Sequence, residues 1–203
     1  MTGRAAQKAE AIKLVVLDVD GVMTDGTFTY GGAAESESKS FNVRDGLGIK
    51  LLQRQGIEVA VITGRLSAAV ERRAQELEIK MLVQGREDKG AALRELLASM
   101  ALESACVAYM GDDLPDLAAL KLAGLATCPC DATEAVLKYA DWVAPAAGGR
   151  GAVREVAAAL LRVARGGAAV GARVGLVAAD GKVVAVVDAG AIRVPMRLPA
   201  DEA

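Results

Sequence analysis

Short apolar runs recur along the chain, each followed by a longer stretch of helical periodicity, and this alternation restricts the fold to one class. Leu14 to Leu17 is too short and too β-branched for a helix and reads as a buried strand. Glu58 to Ile62, Met81 to Val83, Cys106 to Met110 and Leu125 to Thr127 repeat the pattern, and Trp142-Val143 extends it. Between them the sequence predicts a short helix beginning at Leu47 and ended by Gly56, and one capped by Ser67 that runs to about Leu77. Further helices are expected over Asp88 to Met100, Leu114 to Leu122, Thr133 to Tyr139 and Gly151 to Arg165. Repeated βα units of this length imply an α/β fold, a doubly wound parallel sheet with right-handed crossovers.

Two segments stand outside the alternation. Residues 27 to 41, with Gly31-Gly32 in the middle, read as a β-hairpin flap. Beyond Arg165-Gly166-Gly167, a flexible joint, Val174 to Val177 and Val183 to Val187 flank an Asp180-Gly181 turn and read as a second hairpin. The expected division is a main domain over 1–165 and an appendage over 166–203. With 53% apolar residues but only 3% aromatic ones, the core has to be built from Ala, Val and Leu.

Charge and composition exclude several functions. A net charge of −2 gives no electrostatic case for nucleic acid or an anionic membrane. No apolar run approaches the ~20 residues that span a bilayer, and residues 1 to 13 lack a signal-peptide apolar region, so a cytoplasmic protein is expected. The chain has no histidine, which removes Ser-His-Asp and Cys-His catalysis and histidine-ligated metals. Acid–base work falls to Asp, Glu, Lys or Tyr. Cys106, Cys128 and Cys130 lack zinc spacing and read as reduced thiols.

The first strand ends in Asp18-Val19-Asp20-Gly21, followed by Asp25-Gly26. In extended backbone Asp18 and Asp20 face the same side, and two carboxylates so close repel unless a cation or a shared proton intervenes. Thr63-Gly64-Arg65 follows the second strand, Lys89 opens the helix after the third, and Gly111-Asp112-Asp113 follows the fourth. The carboxyl ends of the strands in a doubly wound sheet converge on one edge, so these groups should meet. Acids, a hydroxyl, a lysine and backbone amides suit phosphoryl transfer with a hard cation such as Mg²⁺. A carboxylate nucleophile would split hydrolysis into formation and breakdown of an aspartyl-phosphate.

These four motifs resemble those of the haloacid dehalogenase superfamily phosphatases, from about Lys13 to Leu160. The resemblance implies a Rossmann-like fold with Asp18 as nucleophile, Asp20 as acid and base, and Thr63 and Lys89 as catalytic partners. It also implies Mg²⁺ held by Asp18, the Asp20 carbonyl and Asp112, with Asp113 and Asp116 in support. Only 42 residues separate Asp20 from Thr63 and 25 separate Thr63 from Lys89, which leaves no room for a cap domain.

Ser40 to Ile49 and Ala147 to Glu155 are similar to the capless sugar-acid phosphatases within that superfamily. By that likeness the substrate is an eight-carbon sugar acid 8-phosphate of lipopolysaccharide precursor synthesis, with a nine-carbon sugar acid 9-phosphate as the alternative. The likeness also implies a homotetramer whose subunits complete each other's sites. Substrate contacts are expected from Asp20, Asn42, Val43, Arg44, Asp45, Gly46, Lys50, Gly64, Arg65, Arg73, Arg86 and Lys89. Arg150 and Arg154 are expected in a mobile segment over a site. Arginine forks suit a ligand carrying both a carboxylate and a phosphate. A signalling receiver with a phospho-acceptor aspartate is a remote alternative, because receivers lack an Asp-x-Asp pair and place the acceptor at the third strand. A catalytically silent scaffold that assembles through the tail is another.

Overall fold

A computed structural model describes residues 1, 3–30 and 37–164, together with the backbone of two strands at 173–177 and 183–188. After α1 (Gly3–Ala9) comes β1 (Leu14–Leu17), whose four residues are all buried. The flap pairs β2 (Thr29–Tyr30) with β3 (Glu37–Ser38) in antiparallel register, Thr29 opposite Ser38 and Tyr30 opposite Glu37. Then follow α2 (Val43–Arg54), β4 (Glu58–Ile62), α3 (Ala68–Glu76), β5 (Met81–Val83) and α4 (Lys89–Ser99). The series continues through β6 (Val107–Met110), a 3₁₀ turn at Leu114–Asp116, α5 (Leu117–Leu122), β7 (Leu125–Cys128), α6 (Glu134–Tyr139), β8 (Trp142–Val143) and α7 (Ala152–Ala164).

Six strands form one parallel sheet in the order β5-β4-β1-β6-β7-β8. Numbered by first appearance within that sheet the order is 3-2-1-4-5-6, with the change of direction beside β1, where doubly wound sheets bind ligands. Side chains of β1 alternate between faces. Val15 and Leu17 join the core under α1, α2, α3 and α7, while Leu14 and Val16 join the core under α4, α5 and α6. Both cores are aliphatic, as the composition requires. No helix among the described residues is long and apolar enough to cross a membrane.

Three local details depart from the sequence expectation. Helix α2 starts at Val43 rather than Leu47, with Asn42 capping it by accepting from the Arg44 amide at 2.8 Å. Gly46 and Gly48 resemble loop residues in sequence, yet both are packing positions. A Cβ at Gly46 would stand 2.4 Å from Arg73 Nη2, and one at Gly48 would stand 2.9 Å from the Arg154 Cα. Ser67 occupies the N-cap position of α3 without a capping hydrogen bond from its side chain. Its amide donates instead to Gln84 Oε1 at 2.9 Å. The 3₁₀ turn at Leu114–Asp116 replaces the start of the helix expected from Leu114, because Pro115 and the Asp113–Asp116 capping box tighten the first turn.

The tail strands β9 (Arg173–Val177) and β10 (Val183–Asp188) pair antiparallel as a separate two-stranded sheet. The expected Asp-Gly turn between them lies outside the described residues. The described cysteines Cys106, Cys128 and Cys130 are all free.

Candidate active site

Asp18 is the first residue past β1, 4% exposed, with its amide donating to the Met110 carbonyl at 3.0 Å. It forms the floor of a cleft of about 650 Å³ at the carboxyl edge of the sheet, lined also by Asp20, Thr63, Gly64, Arg65, Lys89, Asp112, Asp113 and Asp116. All four sequence motifs therefore converge. Two glycines make the convergence possible. Gly21 has φ +89, and a Cβ there would lie 2.1 Å from Asp112 Oδ2. A Cβ at Gly111 would lie 2.4 Å from the Asp116 carboxyl carbon.

Lys89 is nearly buried and sits 2.8 Å from both Asp18 Oδ1 and Asp116 Oδ1. Asp116 is the hub of the cluster. Its Oδ1 accepts from Lys89 and from the Tyr109 hydroxyl at 2.8 Å, and its Oδ2 accepts from the amides of Asp112 at 3.1 Å and Asp113 at 3.3 Å. With both oxygens committed, Asp116 fixes the loop that carries Asp112 and the lysine that faces Asp18. Asp113 Oδ1 accepts from the Leu114 amide at 2.7 Å, which keeps its carboxylate at the rim.

The acids are crowded. Carboxylate oxygens of Asp18, Asp112 and Asp116 lie within 4.8 Å of one another. Burial and then repulsion from Asp116 push Asp18 up to about 7, against the pull of Lys89. Burial, with repulsion from Asp18 and Asp116, pushes Asp112 up to about 8. Burial alone would depress Lys89, but Asp18 and Asp116 overcome it and hold the ammonium above its ordinary range. Tyr109 is driven well upward by burial and by the Asp116 charge, so it stays a hydrogen-bond donor. Three like charges this close favour a divalent cation, and the all-oxygen donor set fits a hard one.

At the cleft's other wall, Thr63 is 2% exposed and fixed by backbone bonds to Val83 and Arg86. Arg65 reaches Glu37 of the flap at 3.1 Å, lies 3.9 Å from Asp20 Oδ2, and packs 4.1 Å from the Phe28 ring centroid. Lys39, just past β3, pairs with Asp20 Oδ1. The sequence reading missed Lys39, Glu37 and Phe28 because the flap shows no motif; Lys39 directly precedes the Ser40–Ile49 segment.

The remaining expected contacts lie elsewhere on this chain. Arg73 lines a neighbouring cleft of about 510 Å³ with Lys39, Phe41 and Arg72. Asn42 lines a third, smaller one with Arg150, whose guanidinium pairs with Asp25 at 3.1 Å. Val43 and Arg44 are exposed at the start of α2. Asp45 is 3% exposed and accepts from the Gly151 and Arg154 amides at 3.3 and 2.8 Å, tying α2 to the start of α7. Gly46 is packed under Arg73. Lys50 pairs with Glu78 at 2.7 Å, and Arg86 forks onto Glu95 at 2.7 and 2.8 Å. The segment that carries Arg150 and Arg154 packs on the Gly21–Asp25 loop. There the Gly149 amide donates to the Val22 carbonyl at 3.0 Å, and a Cβ at Gly148 would collide with the Gly21 carbonyl.

Comparison with known proteins agrees with this geometry. Residues 81–155 match the haloacid dehalogenase-like hydrolase family. The 3-deoxy-D-manno-octulosonate 8-phosphate phosphatase KdsC of Escherichia coli K12 is 47% identical over 154 residues, covering 76% of this chain and 81% of that protein. The chain belongs to the haloacid dehalogenase-like phosphatases. Among solved structures, this phosphatase is similar to the Moraxella catarrhalis 3-deoxy-D-manno-octulosonate 8-phosphate phosphatase, crystallised with magnesium, phosphate and KDO. The TM-score is 0.79 and the identity 41%, over 82% of this chain and 95% of that one. A cobalt-bound phosphatase of the same name from Haemophilus influenzae aligns at TM-score 0.76 and 40% identity, over 79% of this chain and 94% of that one. The haloacid dehalogenase-like fold follows the sequence expectation.

Proposed function

We propose that this chain is a Mg²⁺-dependent phosphatase that hydrolyses 3-deoxy-D-manno-octulosonate 8-phosphate to KDO and inorganic phosphate, in lipopolysaccharide precursor synthesis. The observation that carries the reading is the buried Asp18 on the cleft floor, with Lys89 on one oxygen and Asp112 beside it. Identity of 47% to phosphatases of that name supports the substrate.

Asp18 attacks phosphorus with the oxygen that Lys89 does not hold, forming an aspartyl-phosphate. Asp20 gives a proton to the departing alkoxide and later takes one from the attacking water. The Thr63 hydroxyl and the Gly64 amide grip phosphate oxygens, while Lys89 offsets the charge that develops. Asp18, the Asp20 carbonyl and Asp112 would hold Mg²⁺, with Asp113 at the rim, and the bound ion neutralises charge on the acids and the transferring group. Arg65, half-exposed at the cleft wall, is placed to take the polar body of the sugar acid.

Arg73 and Asn42 line separate clefts of this chain, so their part in substrate binding calls for a neighbouring subunit, in keeping with a homotetramer in the cytoplasm. Phosphate release from eight-carbon and nine-carbon sugar acid phosphates, measured side by side, tests the substrate. Faster turnover of the nine-carbon ester overturns the choice, and one phosphate bound per chain without turnover would make the site a phospho-acceptor. D18N is expected to abolish release, and the native mass tests the tetramer.

A further inference from the structure

We propose that Lys39 is a positioning residue for Asp20, holding one carboxylate oxygen so that the other carries the reaction's proton. The Lys39 side chain is 1% exposed, and its ammonium pairs with Asp20 Oδ1. A buried ammonium is costly unless it is paired. Its surroundings supply that pairing: Glu37 Oε1 lies 3.8 Å away and the Phe28 ring centroid 5.2 Å. The place of the pair matters most. Asp20 lines the cleft that contains Asp18, whereas Lys39 lines the adjoining cleft with Arg73. The ammonium thus pairs with Asp20 Oδ1 between the two clefts, and Lys39 does not line the one that holds Asp18.

Among the described residues no direct hydrogen bond reaches Asp20 Oδ2, since Arg65 Nε stands 3.9 Å from it, beyond bonding distance. The terminal torsion of an aspartate is broad and nearly two-fold, so an untethered Asp20 would exchange its oxygens. Tethering Oδ1 fixes which oxygen faces the leaving group, and general acid catalysis depends on that geometry. The flap is well placed to deliver the tether. Strands of two residues are marginal alone, and the ties of Lys39 to Asp20 and of Glu37 to Arg65 fasten this hairpin to the site.

The proposal rests on the phosphatase reading above, and the test separates the two. The values of kcat and KM are measured for the native full chain and for K39M, K39Q and K39R, on 3-deoxy-D-manno-octulosonate 8-phosphate, an alkyl ester, and on p-nitrophenyl phosphate. The alkyl leaving group needs a proton in the first step, whereas p-nitrophenolate does not, and kcat/KM reports that step. For K39M, kcat/KM on the alkyl ester should fall about 10- to 100-fold, mostly in kcat, out of the roughly 10² to 10⁴ that a general acid supplies. The fall on the nitrophenyl ester should stay below about threefold, and K39R should restore most of the alkyl rate. K39Q repeats the comparison with a polar end should K39M melt early. Equal losses on both esters would reduce Lys39 to a structural role, and unchanged rates on both would remove any role. An inactive wild-type chain on both esters overturns the phosphatase reading itself.

Discussion

A Cβ on Gly21 would stand 2.1 Å from Asp112 Oδ2, so the turn after the first motif and the acid of the fourth can be neighbours only because residue 21 has no side chain. Gly21 also has φ +89, a region that costs other residues about 1–3 kcal/mol. G21A is therefore expected to displace Asp112. The predicted outcome is a loss of Mg²⁺ affinity and a fall in kcat/KM of at least about 100-fold, with a smaller drop in Tm. Titration calorimetry with Mg²⁺ and steady-state kinetics check it; wild-type metal affinity would show that Asp112 does not need this approach.

Lys89 is the only described cation within 4 Å of both Asp18 and Asp116. Replacing it by methionine leaves two buried acids without their counter-charge, a change that costs about 3–5 kcal/mol in comparable buried pairs. K89M should therefore unfold at markedly lower urea, and added Mg²⁺ should recover part of the loss while catalysis stays absent. Y109F removes one neutral donor to Asp116 and should cost only about 1–2 kcal/mol. Urea melts of the two variants, with and without Mg²⁺, test this ranking. A Y109F loss equal to that of K89M would mean that Asp116 depends on the hydroxyl as much as on the charge.

Asp45 sits in the string that resembles a substrate loop, yet its carboxylate accepts the Gly151 and Arg154 amides. Burial raises it, and these two amides, with Arg73, draw it back toward the ionised form. Asparagine would set an NH₂ against one amide, so D45N should cost about 1–3 kcal/mol of stability while kcat/KM stays within about threefold. The opposite pattern, normal stability with a large kinetic loss, would return Asp45 to the substrate site.

Much of the site was legible in the sequence because its residues sit at strand ends. Asp18, Thr63 and Gly111 each follow a short apolar run, and parallel topology then brings them to one edge. Helix α2 was harder to read, since Gly46 and Gly48 weaken the helical pattern and their reason is the close approach of Arg73 and Arg154. Lys39 and Glu37 were invisible because a hairpin of two-residue strands has no periodicity, and their partners Asp20 and Arg65 are distant in sequence. Asp116 showed only as a possible support. Its four donors come from α4, β6 and its own turn, a convergence that no linear spacing displays.

The crowded acids also predict how stability varies with pH. Asp18 titrates near 7 and Asp112 near 8 in the folded chain, against an ordinary value of 3.8. From about pH 4 to pH 8 the folded state thus keeps protons that the unfolded chain has released. Stability contributed by these groups is full at low pH and declines as pH rises through that window. Mg²⁺ competes with the same protons, so its affinity should climb from pH 5 to pH 8. At a concentration 100 times Kd, bound Mg²⁺ adds about 2.7 kcal/mol, and that gain should shrink at pH 5 for the same total Mg²⁺. Thermal melts from pH 5 to 8.5 at fixed ionic strength, with and without Mg²⁺, measure the effect, and D112N should flatten it. A Mg²⁺-induced rise in Tm that is the same at every pH would show that neither Asp18 nor Asp112 exchanges a proton for the metal.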